Sequence, residues 1–164
     1  MNILILIIVL LLFIIFIYKS SFFSSEVFSR NVVLGLFFLK LFFAGTLLGY
    51  YTFIHKDRKT ADVYRYIDDA EVIHSLIQSD PSSYFKIVSG IGFDSNDTLL
   101  AKKIDATHYF YGTDISFLDS NHRFIIRLQC IIRLFSAGYI WTHLVIFAFF
   151  SFVGCWSIYK FFSC

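Results

Sequence analysis

Cysteine is scarce in this chain and spaced for no obvious chemistry. The three residues, Cys130, Cys155 and Cys164, form no CxxC pair and are odd in number, so neither a disulfide framework nor a zinc site is indicated. The five histidines, at positions 55, 74, 108, 122 and 143, make no HxxxH or HExxH pair and read as surface or interfacial residues. No glycine-rich phosphate loop, serine nucleophile motif or redox pair is present. Nothing therefore points to a cofactor, and a divalent metal is not indicated. Charge is thin too, at 16% of residues. Met1 and Asn2 offer no basic stretch before the first apolar block, and Lys19-Ser20-Ser21-Phe22-Phe23 lacks a small-x-small cleavage site. That block reads as a retained anchor, not a removed secretory signal.

What the chain has instead is apolar length. Hydrophobic residues make up 57% and aromatic residues 21%, with 22 phenylalanines and a mean hydropathy of +0.69. Globular domains hold about 45 to 50% apolar residues. Three blocks concentrate the excess: Ile3 to Tyr18, Val32 to Ile54, and Tyr139 to Phe162. A span needs roughly 20 mostly apolar residues to cross about 30 Å of hydrocarbon, with every backbone polar group bonded inside the segment. The expected class is an all-α integral membrane protein with three transmembrane helices, a helical extramembrane loop and an interfacial amphipathic helix. Its expected divisions are 1–30 (anchor and short loop), 31–55 (second span), 56–121 (loop), 122–138 (arginine helix) and 139–164 (third span).

The flanks carry the topology. Tyr18 with Lys19, Tyr50 with Tyr51, and Tyr139, Trp141 and His143 make the aromatic ends found at headgroup level. Gly45 and Gly49 have the GxxxG spacing that permits close helix approach. Lys40 lies well inside the second block, where a cation is costly unless it snorkels or faces protein or water. From His55 to His122 there are seven Lys or Arg against eleven acidic residues, so this stretch is net negative while the rest is positive. Lys19, Arg30 and Lys160 argue that the first loop and the C-terminus are cytoplasmic; Lys56, Arg58 and Lys59 argue the reverse for the long loop. The favoured topology has the 56–121 loop facing outward, away from the cytoplasm.

The loop is patterned for helices. Thr60 is placed to cap a helix running to about Ser79, with Tyr64, Ile67, Ala70, Ile73, Leu76 and Ile77 forming one apolar stripe. Asp80-Pro81 is a cap with proline at the first helical position, and the helix it opens should stop at Gly90. A turn follows over 90–97, then a short helix over 99–104, an irregular aromatic segment over 107–118, and a cap at Ser120 or Asn121. On the final helix, Arg123, Arg127 and Arg133 share an arc of roughly 120° at 100° per residue, and apolar residues cover much of the rest. Ser136-Ala137-Gly138 turns the chain into the third span.

Two clusters could carry chemistry. Asp62 and Asp69 are seven residues apart, which puts them on one helix face with Asp68 beside them. Such carboxylates could hold a divalent metal with a phosphate-bearing ligand or activate a hydroxyl; on spacing alone they read as a solvated face with Arg65 in local pairs. Arg123, Arg127 and Arg133 could grip a lipid phosphate, or simply anchor the helix at the interface. Asn96-Asp97-Thr98 fits the glycosylation sequon, a coincidence expected of so short a motif.

The order of these features carries a resemblance. A glycine-containing span ending in aromatics is followed by Thr60-Ala61-Asp62-Val63-Tyr64-Arg65-Tyr66-Ile67-Asp68-Asp69-Ala70 and Asp80-Pro81-Ser82-Ser83-Tyr84-Phe85. Asn121-His122-Arg123-Phe124-Ile125-Ile126-Arg127-Leu128 and Phe135-Ser136-Ala137-Gly138-Tyr139 then precede another span. The pattern is similar to the N-terminal region of uncharacterised polytopic membrane proteins of Bacteroidetes-type bacteria. Those proteins loosely resemble multi-spanning (GT-C-like) glycosyltransferases that use lipid-linked sugars. The resemblance implies the N-terminal part of such a protein in envelope glycan assembly, with Asp62, or second Asp68 or Asp69, activating the acceptor. Membrane lipid, a lipid-linked sugar and further membrane helices or subunits would be its partners, and no nucleic acid. The sequence departs from that family by carrying two spans before the acidic loop and by stopping after its third, at Phe161-Phe162-Ser163-Cys164, as a fragment would. The alternative is a non-catalytic membrane subunit whose long loop docks a partner protein.

Overall fold

The structure, a computed structural model, describes residues 2–55, 61–91, 102, 104–107 and 121–163. Thr60, the turn and sequon at 92–98, most of the stretch at 99–104, the aromatic segment at 108–118 and Ser120 lie outside the described residues. Every regular element among the described residues is helical: α1 (Asn2–Lys19), a 3-10 turn (Ser21–Phe23), α2 (Arg30–Gly49) continued by a π-helical turn (Tyr50–His55), α3 (Asp62–His74), α4 (Leu76–Ser79), α5 (Pro81–Ser89), α6 (Asn121–Ser136) and α7 (Ile140–Phe162). They form two compact units, one of residues 1–55 with 139–164 and one of residues 56–138.

In the first unit α1, α2 and α7 pack as a trio in which α2 runs antiparallel to the other two. All three are long and apolar enough to cross a membrane. Ser29 opens α2 by accepting the Val32 amide, and Lys160 sits in the last turn of α7, a cation against the negative helix end. The shared core is aromatic: Phe23, Phe37, Phe149, Phe152 and Trp156 are buried with Ile17 and Val33, and Phe13 stacks on Phe149 with centroids 3.9 Å apart. Only Ile17 of α1 is buried, and Ile3, Leu4, Leu11, Leu12 and Ile15 are each more than half exposed. Gly45 faces Trp141 of α7, whose ring carbon would stand 3.9 Å from an added Cβ, while Gly49 meets nothing within 4 Å.

One end of this trio is tied together by polar groups. Arg30 Nη1 donates to the carbonyls of Ile17 and Ser20, at 3.0 and 2.6 Å, taking up acceptors that the end of α1 leaves open. Trp156 Nε1 donates to Phe22 O at 2.9 Å, Tyr159 shares a hydroxyl bond of 2.8 Å with Ser25, and Lys160 Nζ reaches Ser24 O at 3.1 Å.

The second unit is a small helical domain with its own core of Ala70, Ile73, Leu76, Tyr84, Ile87, Ile126 and Cys130. The stripe expected on α3 is the one it buries, from Tyr64 through Leu76, with Ile77 partly covered. The helix expected up to Ser79 is present as α3 and α4, which meet at Ser75; that residue keeps right-handed helical dihedrals (φ −59°, ψ −20°) and its amide bond to Glu71 O, while its hydroxyl bonds Val72 O at 2.6 Å. Asp80 caps α5 through both its carboxylate oxygens, to the Ser83 amide and hydroxyl; Pro81 follows, and Gly90 ends the helix at φ 77°. Tyr84 is 1% exposed, and its hydroxyl donates to Cys130 O at 3.1 Å, fastening α5 to α6.

Burial on α6 makes a sharp prediction. Ile126→Ala should lower unfolding stability by about 2 to 5 kcal/mol through the cavity it leaves. Phe124→Ala on the opposite side should change it by under about 0.5 kcal/mol. Thermal unfolding of the two variants in the same mild detergent checks both.

Candidate functional site

The acidic helix and the arginine helix belong to the same unit and pack directly on one another. Ala61 holds extended dihedrals (φ −89°, ψ 110°) and provides no side-chain cap, so α3 opens with the Asp62 carboxylate in its first turn, where the helix dipole favours negative charge. Asp62 is exposed, Asp68 is half-buried and Asp69 is 1% exposed. The seven-residue spacing thus sets Asp62 and Asp69 on one side of α3 but at different depths. Among the described residues no three His, Cys, Asp or Glu side chains converge as a metal site.

Asp69 faces the centre of α6. Burial pushes the Cys130 thiol up to about 12; the charges of Arg133 and Arg127 oppose that rise, and Asp69 adds to it. Asp69, Cys130, Arg127 and Arg133 therefore share one electrostatic neighbourhood. Arg127 Nε donates to Ile87 O at 2.9 Å, and burial together with the nearby Arg123 charge lowers its guanidinium. Arg133 pairs with Glu71 at 3.3 Å, and its side chain is 15% exposed. Gly138, at φ 73°, lies so close that an added Cβ would stand 2.7 Å from the Arg133 guanidinium. The left-handed turn is what calls for glycine there, since the tip of the Arg133 side chain could swing aside for a Cβ.

The arginine arc is not the outer side of α6. Ile126 and Cys130 fall within the same arc and are fully buried, so the guanidiniums of Arg127 and Arg133 bond inside the unit. The side left open is apolar: Phe124, Ile131 and Phe135, spaced by seven and four residues, are 69%, 43% and 68% exposed.

Two histidines depart from the surface reading. His143 is 2% exposed, and His74 Nδ1 is buried without a hydrogen-bond partner among the described residues, its ring set edge-on to Tyr84 at 5.9 Å. Burial, and then the Arg133 charge, hold His74 below its ordinary value of 6.5, with Glu71 opposing. His122 Nδ1 shares a 2.6 Å bond with the Tyr66 hydroxyl, tying α6 to α3. No motif in the sequence marked Tyr66, His74, Tyr84 or Cys130 as a group, because they meet only when α3, α5 and α6 pack.

In the other unit, a groove of about 350 Å³ runs between α2 and α7, lined by Leu36, Leu39, Lys40, Phe43, Cys155 and Tyr159 among others. It is almost wholly apolar except for the Lys40 amine. At the centre of a span a lysine costs about 2.5 to 3.5 kcal/mol on insertion scales. No family model matches the chain, and comparison with curated proteins and with solved structures finds no match either.

Two outcomes follow from the titrations. Because the folded chain holds His74 neutral, the unfolded chain takes up its proton first as pH falls through 6.5, and stability drops on that acid side. Unfolding temperatures of His74→Phe, which keeps a ring against Tyr84, should fall less between pH 7.5 and 5 than those of the native chain. Cys130 should resist maleimide at pH 8 and react only once unfolded, as peptide mapping by mass spectrometry will show.

Proposed function

We propose that the chain is a multi-pass protein of a bacterial inner membrane, a non-catalytic subunit whose 56–138 unit faces outward and docks a partner protein. The observation that carries the membrane reading is the exposure of α1, apolar on every side with one residue buried. A helix in water hides an apolar stripe; one apolar all round needs lipid or protein about it. Arg30 and Lys160 both bond the 19–30 turn, which supports a basic, cytoplasmic end of the trio. Phe124, Ile131 and Phe135, exposed together on one side of α6, suit the boundary between headgroups and acyl chains. The lipid contact proposed for α6 is thus this apolar stripe, with Arg123, Arg127 and Arg133 serving chiefly to hold the unit together.

The docking role draws on what the unit does with its charges. Asp69 is withdrawn from solvent and two guanidiniums are bonded internally, and the 56–138 stretch as a whole carries eleven acidic residues against ten basic. Exposed carboxylates such as Asp62 and Glu71 on α3 suit recognition of a partner with basic groups. The transferase reading is favoured by one feature, Asp62, which is exposed at the start of α3 only seven positions beyond His55. In that reading the chain is the N-terminal part of a GT-C-like enzyme acting on a lipid-linked sugar.

Membranes washed with alkaline carbonate should retain the chain; its release would sink the spanning reading. Ser79→Cys, exposed at the end of α4, should react with an impermeant maleimide on intact spheroplasts, and labelling only after lysis would invert the orientation. Asp62→Asn should leave complementation of a deletion strain intact. Loss of complementation at unchanged abundance would move the assignment to the transferase.

A further inference from the structure

The strongest unabsorbed feature is the Lys40 groove. Lys40 lies ten residues after Arg30 and ten before Tyr50, so at 1.5 Å per residue its Cα is about 15 Å from each end of the stretch. In a span of the proposed kind that is the middle of the hydrocarbon, beyond the reach of a lysine stem to either headgroup layer. The amine makes no hydrogen bond or ion pair among the described residues. No element of α1, α2, the π turn or α7 carries an Asp or Glu, so neither this trio nor a second copy of it can supply the counter-charge.

We propose that the groove between α2 and α7 is the docking site for a transmembrane helix of a partner, apolar along its length and bearing one carboxylate near its middle that pairs with Lys40. The proposal rests on the membrane-spanning reading above. Charge complementarity selects the occupant: a buried cation in an apolar slot is stable only when matched, and a carboxylate on a helix arrives at that depth with its backbone already satisfied. The shape agrees. The lining on α2 runs from Leu36 to Phe43, two turns with Lys40 inside them, and the facing wall on α7 is Phe152, Cys155, Trp156 and Tyr159, an apolar slot that a helix's side chains can enter. Leu39, Phe43 and Leu36 stand 49%, 61% and 40% exposed, the surface that such a helix would cover.

The test uses the full chain in phosphatidylcholine vesicles, after carbonate washing has shown that it is integrated. Release at that step overturns the spanning reading, and this proposal with it. Fluorescently labelled leucine-rich peptides of about 23 residues, carrying Glu, Gln or Leu at the central position, are co-reconstituted and energy transfer to the chain is measured. The Glu peptide should associate about tenfold more tightly than the Leu peptide. Lys40→Met should abolish that preference, and Lys40→Glu, integrated to the same level, should instead prefer a peptide with a central Lys. Equal association of Glu and Leu peptides with integrated native chain overturns the proposal, as does a preference that survives Lys40→Met. A preference lost when the vesicles contain phosphatidylglycerol overturns it too, since a lipid phosphate then takes the amine.

Discussion

The Arg30 guanidinium closes one helix with the residue that begins the next. By taking the Ile17 and Ser20 carbonyls it satisfies the end of α1 while standing in the first turn of α2, so the reversal between them cannot slide along either helix. Everything else at that end depends on the turn being fixed. Trp156, Tyr159 and Lys160 of α7 bond to Phe22, Ser25 and Ser24, and these bonds set how far α7 lies along the pair. The aromatic core then follows, since Phe23, Phe149 and Phe152 meet only at that height.

The two units solve the burial problem in opposite ways. The trio packs rings against rings and has few polar groups to place. The 56–138 unit has a mixed interior, with Asp69, Gln129 and Ser83 buried beside Ile87 and Ile126. A hydrophobic core of that size is modest, and bonds such as Tyr84 to Cys130 O and Arg127 to Ile87 O provide its specificity as much as its cohesion.

How legible this was depended on whether the signal was local. α5 could be read outright, because a cap, a proline and a left-handed glycine act within a few residues of one another. The three apolar helices were equally plain. The sense of α6 was hidden: an arc of three arginines looks like an outer face until α3 and α5 supply Glu71 and Ile87 O as partners. The depth of Asp69 and the meeting of Tyr66 with His122 were invisible for the same reason, as both come from residues over fifty positions apart.

The π turn from Tyr50 to His55 adds a final consequence. Bonds from i to i+5 hold more chain per turn than those of α2, so residues after Gly49 fall out of phase with the row that contains Leu36, Lys40 and Phe43. The face α2 shows to its surroundings is thereby uncoupled from the bearing on which the chain departs. Residues at either side of that seam can change without altering what the other half of the helix presents.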